Sequence, residues 1–298
     1  MDTPEPWNGV DIPAEWADAA ARLTGGEARR VLVLGPADSG KTTLCTLLLS
    51  IASDQGRSAV LVDADVGQKM CGPPACVTLG RTPGQAVPDA LWFVGTTDPV
   101  HGWDRTVAGL GRLGRHTPGR HMAADLVLAN TGGLLAGPGR RLKAAKIRAF
   151  GPDLLLTLGA GPDLDLILAD HPHIPALRLA PSARARRKTP GERRRARQAA
   201  FARYFAGATT WTFPGIPPAT TAPPVPGLLV GLADPAGHDI GMGIATGLDP
   251  VAGTVTLRTP VPAPMVARLS WGSIHLDAAF RETRPARPPA GAPPTRER

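Results

Sequence analysis

The sequence predicts an α/β protein with a mainly parallel sheet between layers of helices, and three observations support this fold class. An apolar run at residues 31–34 is followed by residues 35–42, which match the pattern G-x-x-x-x-G-K-[ST] in full. A second apolar run, at residues 59–62, ends in two aspartates, Asp63 and Asp65. Further apolar runs then alternate with helix-length segments, which is typical of a three-layer sandwich.

The glycine-rich segment can bind a polyphosphate because it lies between a buried strand and an apolar helix at residues 43–49. Backbone N–H groups of such a loop lie at a helix N-terminus, where the helix dipole favours anions. Lys41 would contact the β- and γ-phosphates, and Thr42 would offer its hydroxyl to magnesium. The predicted fold is therefore that of a P-loop NTPase. Its phosphate-binding residues would be Gly35, Pro36, Ala37, Asp38, Ser39, Gly40, Lys41, Thr42 and Thr43.

The two aspartates that end the second apolar run are candidate metal ligands. Acids at the carboxyl end of a parallel strand face the ligand crevice. Because side chains alternate along a strand, Asp63 and Asp65 would project from the same face. Two such carboxylates could hold hydrated magnesium, or divide metal binding and proton acceptance between them.

The remaining elements of the predicted sandwich follow from apolar patterning. A short amphipathic helix is expected before residue 30, with Trp16, Ala19, Ala20 and Leu23 on one side and two glycines after it. Strands are expected at residues 90–94, 125–129, 154–158 and 176–179, and helices at about residues 103–113 and 139–150.

The formal net charge of +8 resides in one segment. Residues 184–203 contain nine arginines or lysines against Glu192 alone, so the rest of the chain is neutral on balance. This distribution indicates a polyanionic partner at that segment. The alternative is a solvated, partly disordered basic loop.

The basic segment also contains the start signal of a helix. Thr189, Pro190 and Glu192 form a predicted capping box, and no breaker occurs before Gly207. On this helix Arg194 and Arg197 share a stripe with the aromatic residues Phe201, Tyr204 and Phe205. The aromatic end can anchor in a core. The arginine end could then act as a lid that neutralises a transferring phosphoryl group.

The C-terminal third predicts a different architecture. The Pro-rich residues 214–227 are typical of a linker, and short strands with Gly- and Asp-rich turns are expected after it. The predicted organisation has five parts: an N-terminal helical segment (1–30), a P-loop domain (31–213) with its lid at about 184–206, the linker (214–227), a small β domain (228–280) and a disordered tail (281–298).

Cysteine usage and hydropathy bear on the compartment. The three cysteines, Cys45, Cys71 and Cys76, match neither a disulfide framework nor a paired zinc site. No run of about 18 apolar residues occurs, and no signal peptide is apparent. A cytoplasmic protein without a membrane partner is expected.

Several stretches resemble the polynucleotide 5′-hydroxyl kinases of RNA processing. Residues 35–44 (GPADSGKTTL) resemble that family's phosphate loop, residues 63–68 (DADVGQ) its D-x-D-x-G-Q, and residues 72–79 (GPPACVTL) the segment that follows in the ribosomal-RNA branch. Residues 93–99 (FVGTTDP) resemble its F-x-G-x-T-x-P, and residues 130–133 (NTGG) its N-T-x-G turn. The arginine-rich helix that ends in Tyr204 and Phe205 resembles its lid.

The resemblance implies that ATP and magnesium are bound, and that the γ-phosphoryl group is transferred to the 5′-hydroxyl end of RNA or DNA. Asp65 would accept the hydroxyl proton or order the metal. By position, the implied catalytic residues are Lys41, Asp65, Arg194 and Arg197; the substrate-binding residues are Gln68, Thr97, Thr131 and Arg193; and the metal ligands are Thr42, Asp63 and Asp65.

Two other functions stay open, and one departure from the family pattern slightly favours the first of them. Leu134 stands where many members have an aromatic residue, so base stacking on the acceptor would be lost there. An ATP-binding scaffold for RNA processing without efficient turnover is one alternative, and a kinase of a small metabolite is the other. The concentration of charge in one helix favours a polynucleotide over a small acceptor. The sequence identifies no protein partner.

Overall fold

In the computed structural model, which describes residues 11–115, 124–214, 226–249 and 251–283, the chain forms two sheets. The strands of the first are β1 (Arg30–Leu34), β2 (Ala59–Ala64), β3 (Cys76–Gly80), β4 (Ala90–Phe93), β5 (Leu126–Thr131), β6 (Leu154–Leu158) and β7 (Ala176–Leu179). Their order is β4-β3-β2-β5-β1-β6-β7. Strands β2, β5, β1, β6 and β7 are mutually parallel, and β3 is antiparallel to both its neighbours. The predicted mainly parallel sheet is confirmed.

Helices cover both faces of this sheet. They are α1 (Ala14–Thr24), α2 (Lys41–Asp54), α3 (Trp103–Arg115), α4 (Pro138–Phe150) and α5 (Pro162–Ala169), whereas α6 (Pro190–Tyr204) packs between the two sheets. Val31 and Val33 pack with α1 and α2 on one face, whereas Leu32 and Leu34 pack with α3, α4 and α5 on the other. This alternation gives the predicted three-layer sandwich. Among the described helices, none combines the length and apolar character needed to cross a bilayer.

The second sheet is antiparallel throughout. Its strands are β8 (Thr209–Pro214), β9 (Leu228–Ala233), β10 (Asp239–Asp249), β11 (Thr254–Thr259), β12 (Arg268–Leu276) and β13 (Glu282–Thr283), in the order β13-β12-β9-β10-β11-β8. Strand β8 precedes the predicted linker yet pairs with β11, so the second sheet receives a strand from each side of the Pro-rich segment.

Parts of the predicted organisation fall outside the described residues. These are residues 1–10 of the N-terminal segment, 215–225 of the linker and 284–298 of the tail. The expectation of disorder from residue 281 is wrong at its start, because Glu282 and Thr283 form β13 and pair with Leu276 and His275.

An aromatic cluster joins the two sheets. Phe93 of β4, Phe201 and Tyr204 of α6 and Met242 of β10 are all buried in it. The Tyr204 hydroxyl accepts a hydrogen bond of 2.9 Å from the backbone N–H of Met242. The C-terminal half of α6 is therefore fixed between the sheets, while its N-terminal half extends toward the carboxyl ends of the parallel strands.

Candidate active site

The loop between β1 and α2 has the backbone that a phosphate-binding loop needs. Gly35 and Gly40 have φ angles of 151° and 94°, a region that side chains rarely adopt. A Cβ on Gly35 would lie 2.5 Å from the carbonyl oxygen of Leu158, and one on Gly40 would lie 2.8 Å from the Trp16 ring. Gly40 also precedes the first residue of α2, so the loop delivers backbone N–H groups to a helix N-terminus.

Lys41 is folded back onto this loop. Its Nζ donates to the carbonyl oxygens of Gly35 at 3.0 Å and Pro36 at 2.5 Å. Burial lowers the pKa of Lys41 below its ordinary value, whereas the charge of Asp65 raises it. The ammonium group is therefore held by weak neutral acceptors, which a phosphate group can replace. Thr42 is exposed, and its hydroxyl makes no hydrogen bond to the described residues.

The cavity beside the loop has a volume of about 380 Å³. Most predicted phosphate-loop residues line it, together with acidic, amide and basic groups from four other segments. Its lining includes Ala37, Asp38, Gly40, Lys41, Thr42, Thr43, Asp65, Gln68, Asn130, Gly133, Lys188 and Arg193. The remaining wall comes from Asp11, Trp16 and residues 182–186. The structure thus brings together most of the residues that the sequence selected.

The two predicted metal ligands have different surroundings. Asp65 lines the cavity, and its Oδ1 accepts hydrogen bonds from the backbone N–H groups of Gly67 at 3.0 Å and Gln68 at 2.9 Å. Its Oδ2 makes no hydrogen bond to the described residues. Asp65 therefore has one carboxylate oxygen that is available to a metal ion or a hydroxyl group.

Asp63 is fully buried, and its carboxylate is already saturated. Its Oδ1 accepts from the Asp65 N–H at 3.2 Å and from Asn130 Nδ2 at 3.0 Å. Its Oδ2 accepts from the Met70 N–H at 2.6 Å and lies 3.3 Å from Lys69 Nζ, a buried ion pair. Asp63 does not line the cavity and both its oxygens are held by protein donors, so its role as a metal ligand stays a prediction. Asp63 holds the segment that carries Asp65.

Residues 130–133 lie beside the phosphate loop, at the end of the strand next to β1. Asn130 is 2% exposed and lines the cavity, and its Oδ1 is buried without a hydrogen-bond partner. Thr131, which the resemblance assigned to substrate, is fully buried. Its hydroxyl donates to the Val33 carbonyl at 2.8 Å and accepts from Lys143 at 2.7 Å. Thr131 therefore supports the turn, and Asn130 is the residue that reaches the cavity.

The lid helix presents one of its three predicted arginines to the cavity. The capping box is present: the Thr189 side chain accepts from the Glu192 N–H, and the Glu192 carboxylate accepts from the Thr189 N–H. Arg193 lines the cavity and pairs with Asp38 of the phosphate loop. Asp38 also accepts from the Lys188 N–H at 3.0 Å. The lid thus closes directly onto the phosphate loop.

The other two lid arginines lie elsewhere. Arg194 is exposed. Arg197 forms a bidentate ion pair with Glu282, with its Nε at 2.5 Å and its Nη2 at 2.9 Å from the carboxylate oxygens. Arg197 therefore fastens the lid helix to β13, because its charge is neutralised by that strand rather than directed into the cavity.

Gln68 and Thr97 lie at the edge of the site. Gln68 lines the cavity, and its Nε2 contacts the carbonyl oxygen of Arg193 at 3.4 Å. Thr97 does not line the cavity. Its carbonyl oxygen lies 3.3 Å from the position that a Cβ on Gly67 would occupy, so Thr97 packs behind the loop that carries Asp65.

Sequence reasoning missed two buried lysines and the position of Trp16. Lys143 and Lys146 of α4 lie beneath the acidic edge of the sheet. The one available signal was that Lys143, Ile147 and Phe150 form an i, i+4, i+7 stripe, which places a lysine on an apolar helix face. Trp16 packs on Gly40 and donates from Nε1 to the Ala180 carbonyl at 2.9 Å.

Comparison with known proteins identifies the family. Residues 35–207 match the model of the family described as mRNA cleavage and polyadenylation factor CLP1 P-loop. The chain belongs to this family. The match begins at the first glycine of the phosphate loop and ends just after the lid helix. It therefore covers every residue that lines the cavity except Asp11 and Trp16.

Curated relatives agree with this membership. A polyribonucleotide 5′-hydroxyl-kinase of Pyrococcus furiosus is 32% identical over 210 residues, which is 68% of this chain and 58% of the relative. Clp1 of Xenopus tropicalis, also named a polyribonucleotide 5′-hydroxyl-kinase, is 30% identical over 66% of this chain and 48% of its own length. The chain spans about half to three fifths of the length of these relatives.

A solved structure of wild-type Clp1p in complex with Pcf11p (454–563) has the same fold. The alignment covers 88% of this chain and 79% of that one, with a TM-score of 0.68 and 14% sequence identity. The likeness of the fold extends beyond the family match into the second sheet.

Proposed function

We propose that this chain is an ATP-dependent polynucleotide 5′-hydroxyl kinase, which transfers the γ-phosphoryl group of ATP to the 5′-hydroxyl end of RNA or DNA in RNA processing or nucleic-acid repair. The names of the relatives support this activity. The observation that carries it is the cavity that unites Lys41, Asp65 and Arg193. Phosphoryl transfer needs a cation on the phosphates, a proton acceptor and a lid, and each is present there.

The residues present fit a nucleotide polyphosphate and magnesium. The glycine backbone leaves room for phosphate at the N-terminus of α2, and Lys41 would exchange its carbonyl partners for phosphate oxygens. The hydroxyl of Thr42 lines the same cavity and is a hard oxygen ligand, which magnesium prefers; the one free oxygen of Asp65 would either join it as a ligand or accept the hydroxyl proton. The unpartnered Oδ1 of Asn130 could accept from a water in that ion's shell. Bound magnesium would neutralise charge on the phosphates.

The protein groups then divide the work of an in-line transfer. The acceptor 5′-oxygen forms a bond to the γ-phosphorus as the bond between that phosphorus and the bridging oxygen breaks. Asp65 would take the proton that the hydroxyl loses. Arg193, released from Asp38, would place its guanidinium on the phosphoryl oxygens. Closure of α6 would exclude water, which otherwise competes as the acceptor.

Basic residues outside the cavity support a polynucleotide acceptor. Arg194 and Arg195 are exposed on the lid, where they can contact phosphates of a strand that extends from the site. Leu134 is 37% exposed beside the cavity wall, so no aromatic stacking is available at that position. We further propose that the protein acts in the cytoplasm; its three cysteines are free and buried.

The test is transfer of labelled γ-phosphate from ATP to 5′-hydroxyl RNA and DNA oligonucleotides with magnesium. Wild type is compared with Lys41→Ala, Asp65→Ala and Arg193→Ala, and with Arg148→Ala, an exposed arginine on α4, as the matched control. The kinase is supported if wild type and Arg148→Ala label the 5′ end and the other three variants do not. Tight ATP binding without label on any oligonucleotide would contradict it and favour the scaffold. Turnover with a small alcohol but no oligonucleotide would favour the metabolite kinase.

A further inference from the structure

Helix α4 buries two lysines that the proposed function does not use. Lys143 and Lys146 are each 2% exposed and lie three residues apart, on one face of the helix. Neither pairs with a carboxylate among the described residues; their Nζ atoms donate only to neutral oxygens. A buried ammonium without a counter-charge costs several kcal/mol, so packing does not account for the pair.

The two lysines hold two neighbouring segments at the edge of the cavity, which follow the paired strands β2 and β5. Lys146 Nζ donates to the carbonyl oxygen of Ala64 at 2.8 Å, and Ala64 directly precedes Asp65. Lys143 Nζ donates to Thr131 Oγ1 at 2.7 Å and to the Gly132 carbonyl. One rigid helix therefore sets the backbone on both the acidic side and the turn side of the cavity.

The turn held by Lys143 is in direct contact with the phosphate loop. A Cβ added to Gly133 would lie 2.8 Å from the Cβ of Ala37 and closer still to its backbone. The position of residues 130–133 thus limits where the phosphate loop can lie. Lys143 acts on the loop through this contact.

Electrostatics places both lysines in the field of the same carboxylate. Burial lowers the pKa of Lys146 to about 8 and that of Lys143 well below its ordinary value. The Asp65 charge raises both, Asp63 also raises that of Lys146, and the neighbouring lysines 41, 69 and 146 oppose it. Because the charge of Asp65 shifts the pKa of both lysines, both lie near the carboxylate that would take part in the reaction.

We propose that Lys143 and Lys146 are positioning residues for phosphoryl transfer: Lys146 fixes the backbone that presents Asp65, and Lys143 fixes the 130–133 turn against the phosphate loop. The proposal rests on the proposed function for its kinetic consequences. Loss of Lys146 then affects the chemical step, and loss of Lys143 affects nucleotide binding.

Methionine is the replacement of choice, because it has similar length and no charge to desolvate. We expect Lys146→Met to lower kcat about 10²-fold and to raise the KM for Mg·ATP only about threefold, since a shift of about 1 Å in Asp65 has that effect on rate. We expect Lys143→Met to raise both the KM and the Kd for Mg·ATP about tenfold. Arg141→Met, at an exposed position on the same helix, is the matched control.

Thermal unfolding separates positioning from a purely structural role. Replacing a buried, unpaired charge by an apolar side chain is neutral or stabilising, so the Tm of both variants should equal or exceed that of wild type. A lower Tm with unchanged kcat per folded molecule would overturn the proposal. So would kinetic constants equal to those of Arg141→Met.

A binding measurement keeps the proposal testable if no oligonucleotide is phosphorylated. Displacement of a fluorescent ATP analogue, with and without magnesium, gives Kd values that need no turnover. Lys143→Met should weaken binding in both conditions, and Lys146→Met should reduce only the gain in affinity that magnesium provides. If wild type transfers no label to any oligonucleotide, the proposed function alone is refuted. If the Kd values of both variants equal that of wild type, the positioning roles are refuted.

Discussion

Replacing Gly133 by alanine tests how closely the phosphate loop is confined. The new Cβ would lie 2.8 Å from the Cβ of Ala37 and closer to its backbone N and Cα, whereas ordinary contacts begin at 3.4 Å. Because backbone atoms cannot rotate away, the turn and the loop must separate by about 1 Å, and a displacement of that size costs about 10²-fold in rate. We expect kcat to fall by about this factor and Mg·ATP affinity to fall about tenfold.

The assay combines label transfer to a 5′-hydroxyl oligonucleotide with displacement of a fluorescent ATP analogue. Gly247→Ala in β10 is the matched control, because its Cβ would meet no atom closer than 3.7 Å and Gly247 does not line the cavity. Its Mg·ATP affinity should stay within about threefold of wild type. A Gly133→Ala protein that is folded and has wild-type Kd and kcat would refute the reasoning.

Three further predictions follow from the site. Asp63→Asn should lower the free energy of unfolding in urea by about 3 kcal/mol, because it leaves a buried lysine unpaired. Asp65→Asn should lower this free energy less but reduce label transfer more. A larger loss of stability in Asp65→Asn than in Asp63→Asn would contradict the assignment. Arg193→Ala should slow label transfer about 10³-fold, and Arg197→Ala should slow it less while lowering stability; equal rates would count against the distinction. Since burial lowers the pKa of Lys146 to about 8, its penalty on folding is full below that pH and disappears as pH rises toward about 10.4, the unfolded value. The unfolding free energy of wild type minus that of Lys146→Met should therefore rise by about 3 kcal/mol over this range, and a flat difference would exclude the shift.

The sandwich could be predicted because its strands are continuous apolar runs and its phosphate loop is a local motif. Strand β3 was missed, because Cys76–Gly80 follows a Gly-Pro-Pro turn and is short. Strand β8 was missed because it is mostly exposed: Phe213 is its one buried residue, and the threonines before the Pro-rich segment resemble a loop.

The residues of the site could be selected from the sequence, but their roles depended on partners far along the chain. Arg193 and Arg197 each pair with a distant acid, but the partner of Arg193 is Asp38 in the phosphate loop, whereas that of Arg197 is Glu282 in β13, 85 residues later. Asp63 and Asp65 were both expected to face the ligand crevice, since alternation places them on one face. The difference lies in Lys69 and Asn130, which saturate Asp63, and no local pattern predicts that pairing.

The lysines of α4 show the opposite failure. In the sequence they belong to a strongly basic helix, which is usually a solvated face. Their burial could not be predicted from the helix alone, because the acceptors of their hydrogen bonds are two backbone carbonyls and the Thr131 hydroxyl, at the ends of two different strands. Every residue has a backbone carbonyl, so the sequence does not show which of them accepts a hydrogen bond.

The anchoring of α6 between the two sheets determines how its free end can move. With Phe201 buried and Arg193 eight residues earlier, the arginine lies about 12 Å from the fixed point at 1.5 Å per residue. A tilt of about 10° around that point carries the guanidinium through about 2 Å, which is enough to exchange a carboxylate partner for a phosphate. The helix can therefore tilt around the aromatic cluster, and its N-terminal end then moves most. A displacement of the second sheet at Glu282 or Phe280 would shift the helix and so move Arg193 in the cavity, because Glu282 pairs with Arg197 and Phe280 stacks on the C-cap residue Phe205.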